Sequence, residues 1–303
     1  MKPERINTLC NAWYEEFLRS STVGQNTEQY RLLINGIDFQ NLCHESICTA
    51  LTGLSKVLLL PNLNTVLDAD HHFLWAWCGE LLLNPRSNLF PAEQYEVKSL
   101  FETSIHAALA GCSSPPADIN EYNHRQHIKS LQPHHAIQFI QKSNLTLAYL
   151  SFPLLEAVLK RACAAYVDLN GSVITDFSVT PVSGKVREYK KNKTCSSLRD
   201  LLLLHYDKVS NQTLKSHIET FRSNLQTLDP RDPFDLIYSW RNQSLHGTTN
   251  FQTIGGTLLN FAILISIFEI ENDFEAYQIG VLSRWQHFQA TSFRAPSDFF
   301  PPF

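Results

Sequence analysis

Along most of the chain, apolar residues recur every three or four positions, the period of a helix that buries one face. Leu9, Trp13, Phe17 and Leu18 set this rhythm over residues 8–20, and it returns near 42–59, 68–83 and 93–111. Pro, Asn, Gly and Ser separate these segments, and the clearest break is Gly111-Cys112-Ser113-Ser114-Pro115-Pro116. From about 134 the pattern strengthens. Over 143–168, Leu145, Tyr149, Phe152, Leu155, Glu156, Leu159, Cys163 and Tyr166 fall along one stripe. Pro153 inside it predicts a kink or a first turn, and Asn170-Gly171 predicts the stop.

Residues 171–194 depart from this period. Val173, Ile174, Phe177 and Val179 lean towards extended backbone, and Pro181 to Gly184 reads as a turn, which predicts a short hairpin or an ordered loop. Ser197 opens the next helix with Asp200 three residues on, a short form of the capping box. A further helix is expected over 211–226. Asp232-Pro233-Phe234-Asp235 is the sharpest start signal: a capping Asp, Pro at the first helical position and a carboxylate in the first turn. That helix should run to His246 and stop at Gly247. A long apolar helix is expected over 257–277, and an irregular Pro- and Phe-rich tail over 291–303.

The fold class is therefore all-α, organised as an N-terminal helical region (1–130), a second helical unit (131–290) and the tail. The run from Leu258 to Phe268 is too short to span a bilayer, which needs about 20 apolar residues, and reads as a buried helix. The N-terminus lacks the apolar core of a signal peptide. Seven cysteines, odd in number and without a CxxC pair, suit free thiols in a reducing compartment. A cytoplasmic protein with no membrane contact is expected. The formal net charge of −4 excludes a molecule coated in positive charge for non-specific nucleic-acid binding, but not a local basic groove.

Such a local patch is visible. Lys185, Arg187, Lys190, Lys191, Lys193 and Arg199 lie within fifteen positions, with Tyr189 interleaved, and phosphate neutralisation is the simplest use for them. A solvated loop is the plainer reading. His71-His72 beside Asp68 and Asp70, and His124, His127, His134 and His135, tempt a metal assignment. None of these has the spacing of a known zinc motif, so no metal and no cofactor is expected. Trp75 and Trp77 read as core or interface aromatics.

The most concentrated chemistry is Ser239-Trp240-Arg241-Asn242-Gln243-Ser244-Leu245-His246-Gly247. Phe234, Ile237, Tyr238, Arg241 and Leu245 share one stripe, so Arg241 sits on the apolar side of its helix. A guanidinium there needs a carboxylate, a partner surface or a phosphate. Tyr238, Asn242 and His246 form a neighbouring row. An arginine paired to a core acid and a histidine capping its own helix would be the bland account.

Arg-Asn followed by three residues and His, at a helix end and before one more long apolar helix, resembles the HEPN superfamily of ribonucleases. The preceding long helix with an internal acid, Leu154-Leu155-Glu156-Ala157, fits the same order, and the resemblance covers residues 134–280. It implies an up-and-down helical bundle preceded by a second helical region. It further implies a homodimer that joins two motifs in one cleft, and a metal-independent endoribonuclease of the toxin or anti-phage kind. Arg241 would stabilise the phosphorane, Asn242 would orient the phosphate, and His246 would move the proton of the attacking 2'-OH or leaving 5'-oxygen. Glu156 and Tyr238 would be auxiliary, and Lys185, Arg187, Lys190, Lys191 and Lys193 would line the RNA. Glu156 has a simpler alternative as an ion-pair partner of Lys160 or Arg161. The N-terminal region would then hold a trigger or regulatory partner. The alternative is a non-catalytic helical module that binds RNA, a nucleotide or a protein through the same cleft. Positions 241 and 246 are roughly 140° apart on an ideal helix, so they converge only through a distorted last turn or across a dimer.

Overall fold

The computed structural model describes residues 2–19, 28–59, 69–85, 87, 89–110, 119–131, 142–245 and 251–290. His246 and Gly247 lie outside the described residues. So do Asp68, the break at 111–116, His134, His135 and the tail 291–303. The fold is all-α, with a single short hairpin among the described residues.

The helices are α1 (Pro3–Arg19), α2 (His44–Val57), α3 (Ala69–Leu82), α4 (Tyr95–Ala110), α5 (Ile119–Leu131) and α6 (Ser143–Ala162). After the hairpin come α7 (Leu198–Leu204), α8 (Gln212–Gln226), α9 (Pro233–Leu245), α10 (Phe251–Glu269) and α11 (Phe274–Ala290). The hairpin pairs β1 (Phe177–Val179) antiparallel with β2 (Arg187–Tyr189), Ser178 opposite Glu188. Its turn closes with a bond from the Gly184 N–H to the Pro181 carbonyl. Of the residues expected to be extended, Phe177 and Val179 lie in β1, while Val173 makes an isolated bridge to Val167.

Helix α10 is the axis of the molecule. Every residue from Ile254 to Phe268 is buried, as expected of a helix that is apolar all round. It packs on α6, α2, α3 and α4. Its buried Asn260 donates to the Leu51 carbonyl (2.8 Å) and accepts from the Trp75 indole (2.9 Å). The approach to α6 is close because Gly255 has no side chain. A Cβ there would stand 2.8 Å from the Ala148 nitrogen and 2.9 Å from Leu147 Cγ. Helices on either side of the expected boundary at residue 130 share one buried core, since α2 packs on both α8 and α10, and α4 on α6.

Two helix ends differ from the sequence reading. Helix α6 stops at Ala162 rather than near Asn170. Gly171 instead makes a left-handed turn (φ +87°) that lets the Cys195 carbonyl approach to 2.9 Å of where a Cβ would stand. The expected helix over 257–277 is two helices bent by 67°. Ile270 leaves helical geometry, and Glu271, Asp273 and Glu275 favour a new helix start where the dipole attracts negative charge. Pro153, by contrast, lies well inside α6.

The histidines and tryptophans of α3 belong to the core. His71 and His72 are buried, the first bonded through Nε2 to the Leu54 carbonyl, and Asp70 accepts from the amides of Leu32 and Leu33. Burial lowers the imidazole of His71 to about 4 and that of His72 to about 3, so both stay neutral. Cys48, Cys78, Cys163 and Cys195 are buried thiols, and Cys43 is an exposed one. Among the described residues no single helix is long and apolar enough to cross a membrane.

Candidate functional site

Helix α9 is fixed at its start. The Asp232 carboxylate accepts from the amides of Phe234 and Asp235, as the sequence predicts for a capping Asp before Pro. Arg222 of α8 grips the same carboxylate at 2.7 Å and lies over the Phe234 ring. One turn on, Asp235 takes a 2.8 Å ion pair from Arg199 of α7. The Arg199 guanidinium also covers the ring of Tyr238 at 5.5 Å. Two arginines from neighbouring helices therefore set the direction in which α9 delivers Arg241 and Asn242.

At its far end α9 meets α6. Arg241 Nη2 stands 3.5 Å from Glu156 Oε2, and the other oxygen of Glu156 holds Lys160 Nζ at 2.8 Å. Glu156 thus pairs with Lys160 one turn away and also faces Arg241. Arg161, the other possible partner, instead reaches Glu269 and the Leu89 carbonyl. The Tyr149 hydroxyl donates to the Ser244 carbonyl at 3.3 Å, on the last turn of α9. Tyr149, Glu156 and Lys160 follow one another along one face of α6, the first touching Ser244 and the second Arg241.

The electrostatics of this seam are unbalanced. One carboxylate faces two cations, which leaves a net positive charge. The Arg241 contact is also long for a charge-assisted bond, normally about 2.7–2.9 Å. The Arg241 side chain keeps 32% of its surface exposed. A group carrying one negative charge and two acceptor oxygens, such as a phosphodiester, fits these donors. Asn242 is half-buried on the same turn.

The basic run divides in two. Arg187, expected among the RNA contacts, pairs at 2.9 Å with Asp200, whose carboxylate is fully buried. Asp200 also accepts from the Tyr189 hydroxyl at 2.6 Å and faces Arg199 at 3.4 Å. Burial and this carboxylate push the Tyr189 phenol well above its usual range. Lys190 lies between Asp176 and Glu188 at 3.5 and 3.7 Å. Lys185, Lys191 and Lys193 are exposed, the last two flanking Asn192 in a left-handed turn (φ 68°). The inner half of the run anchors the hairpin, while its outer half faces solvent.

Sequence reasoning placed Asp200 only as a cap. Ser197 does accept from the Asp200 amide, but the Asp200 side chain is the hub joining hairpin, α7 and, through Arg199, α9. Its signal was the combination of Arg187, Tyr189 and Arg199 around one acid, which no helical period reveals. Tyr149 was read as part of an apolar stripe, yet it is 44% exposed. Its spacing from Pro153, Glu156 and Lys160 marks a second, polar face of α6.

The fold and this seam define an all-α protein with a cluster of two cations and one carboxylate where α9 meets α6. Compared with protein-family models, curated proteins and solved structures, the chain matches none.

Proposed function

We propose that the chain is a metal-independent endoribonuclease of the HEPN type, acting where the end of α9 meets α6. The observation that carries this reading is Arg241: a guanidinium on the inner face of its helix, held loosely by a carboxylate that Lys160 already occupies. Its position in an Arg-Asn-x3-His motif supports the same reading.

In the proposed reaction the scissile phosphate takes its place on Arg241, and the forked donors stabilise charge as the phosphorane forms. Asn242 orients a phosphate oxygen. An imidazole titrates near neutral pH, which suits His246 to take the proton of the 2'-OH as that oxygen bonds to phosphorus. The P–O5' bond breaks, the leaving oxygen is protonated, and the products are a 2',3'-cyclic phosphate and a 5'-OH. A second copy of the chain supplies the facing motif. Lys185, Lys191 and Lys193 would neutralise flanking phosphates, and a role as a toxin or anti-phage effector would follow from controlled cutting.

The test is cleavage of a labelled RNA pool in EDTA by the wild type, Arg241→Ala and His246→Ala. The expected result is cutting by the wild type alone, with cyclic-phosphate ends. RNA binding that needs Arg241 but is never followed by cutting would make the seam a binding module instead.

A further inference from the structure

We infer that Lys160 is a positioning residue of this site: by holding one oxygen of Glu156 it lets Arg241 exchange that carboxylate for a phosphate. This deepens the nuclease reading, on which it rests for the substrate. For the residue it stands on the charges and distances of the seam.

Lys160 is fixed from two sides. Its ammonium stands 2.8 Å from Glu156 Oε1, one turn back along α6, and only 12% of its side chain meets solvent. Its Cε and Nζ also lie against the turn that follows α6, 3.5 and 3.6 Å from where a Cβ of Gly171 would stand. Arg161, the next cation along, is engaged by Glu269. Glu156 is itself only 18% exposed, so salt screens this pair less than it would a surface pair. Across the seam, Arg241 Nη2 reaches the second oxygen, Oε2, at 3.5 Å. The two contacts are unequal. The lysine holds the carboxylate at charge-assisted length, and the arginine holds it at the outer edge of hydrogen bonding.

Without the lysine charge this balance changes. A guanidinium and a carboxylate with both oxygens available close into a forked pair at roughly 2.7–2.9 Å. Arg241 would then be parked on Glu156, and a phosphate would have to displace a whole carboxylate rather than a shared one. The charge count points the same way. Two cations and one carboxylate leave the seam at +1; without Lys160 it is neutral, and without Glu156 it is +2. Removing both restores +1. Lys160 therefore acts through Glu156 and not on the phosphate, which separates its role from that of Arg241.

The experiment measures binding of a fluorescent 12-nucleotide RNA by anisotropy, and its cleavage in EDTA. The proteins are the wild type, Lys160→Met, Glu156→Gln and the double variant, each checked for an unchanged melting temperature. Lys160→Met keeps an unbranched chain against the Gly171 turn; should it still lower that temperature, Glu156→Gln decides alone. Lys208→Met, which removes an exposed lysine outside the seam, controls for net charge. Lys160→Met should weaken binding and raise KM about tenfold, the size of one charge-assisted hydrogen bond lost to another partner. Glu156→Gln should bind at least as tightly as the wild type, and the double variant should return to within about threefold of it. Unchanged binding in Lys160→Met overturns the inference, as does an equal loss in Lys208→Met. A double variant as weak as Lys160→Met also overturns it, because the lysine would then touch the RNA or serve only the fold. So does weaker binding in Glu156→Gln. Any of these results beside cleavage by the wild type leaves the nuclease reading standing. If the wild type binds with the expected pattern but never cuts, the role of Lys160 stands and the nuclease reading falls. If it neither binds nor cuts, both fall.

Discussion

Removing the Asp200 carboxylate tests whether the hairpin is anchored as the geometry indicates. Asp200 is fully buried and accepts from Arg187 at 2.9 Å, Tyr189 at 2.6 Å and, more weakly, Arg199 at 3.4 Å. Hydrogen bonds to a charged group contribute roughly 1.5–3 kcal/mol each. Asp200→Ala deletes two strong ones and strands the Tyr189 hydroxyl. The loss is less than the sum, because Arg187 is 45% exposed and rehydrates, while Arg199 keeps Asp235 at 2.8 Å. The expected destabilisation is about 3 kcal/mol, within the range found on breaking buried pairs. Asp200→Asn retains an acceptor for Tyr189 and should cost about half as much. Urea unfolding gives the total, and hydrogen exchange locates it: amides of 187–195 should lose protection first, while those of α10 keep theirs. A loss under about 1 kcal/mol for Asp200→Ala, or one spread evenly into α10, would refute the anchoring argument.

Two further perturbations follow from the core. His71, His72 and His205 are held neutral by burial, His205 at about 4, well under the ordinary value of 6.5. The unfolded chain therefore binds more protons between those values, so stability is full above about pH 6.5 and falls as the solution is acidified towards pH 4. His205→Gln should flatten that slope by about one proton; an unaltered slope in urea midpoints between pH 7 and pH 4.5 would exclude His205 from it. Gly255→Ala gains helix propensity of about 1 kcal/mol but places a methyl group against the Ala148 backbone at 2.8 Å. Because backbone on both sides must move, a net loss of about 1–2 kcal/mol is expected in thermal or urea unfolding, and a gain would mean that the two helices separate freely.

What could be read from the sequence was what is decided within a few residues. The Asp232-Pro233 start of α9, the Ser197 cap of α7 and the burial of Leu258 to Phe268 are local matters of capping chemistry and apolar composition. The end of α6 was not legible, because Asn170-Gly171 looks like a stop wherever it occurs. That glycine serves instead a left-handed turn packed close to the Cys195 carbonyl. The break at Ile270 was hidden for a related reason: apolar spacing continues through it, and the acids that begin α11 look like an ordinary solvated face.

The candidate site divides along the same line. Arg241 and Glu156 were each identifiable as residues out of keeping with an apolar stripe, since a charge on a buried face demands a partner. Which partner could not be read: Glu156 and Arg241 are 85 residues apart, and spacing along the helix offers Glu156 only Lys160 or Arg161. The structure places Glu156, Lys160 and Arg241 together, and that matters more than any one contact. A single carboxylate serving two cations holds the guanidinium in position without neutralising the seam. Arg222 and Arg199, fixing the first turns of α9 through Asp232 and Asp235, do the mechanical part from the opposite end. Rigid support thus stands at one end of α9 and a surplus positive charge at the other. The two functions separate by residue: changes at Asp232 or Asp235 should act through the direction of α9, and changes at Glu156 through the charge it delivers.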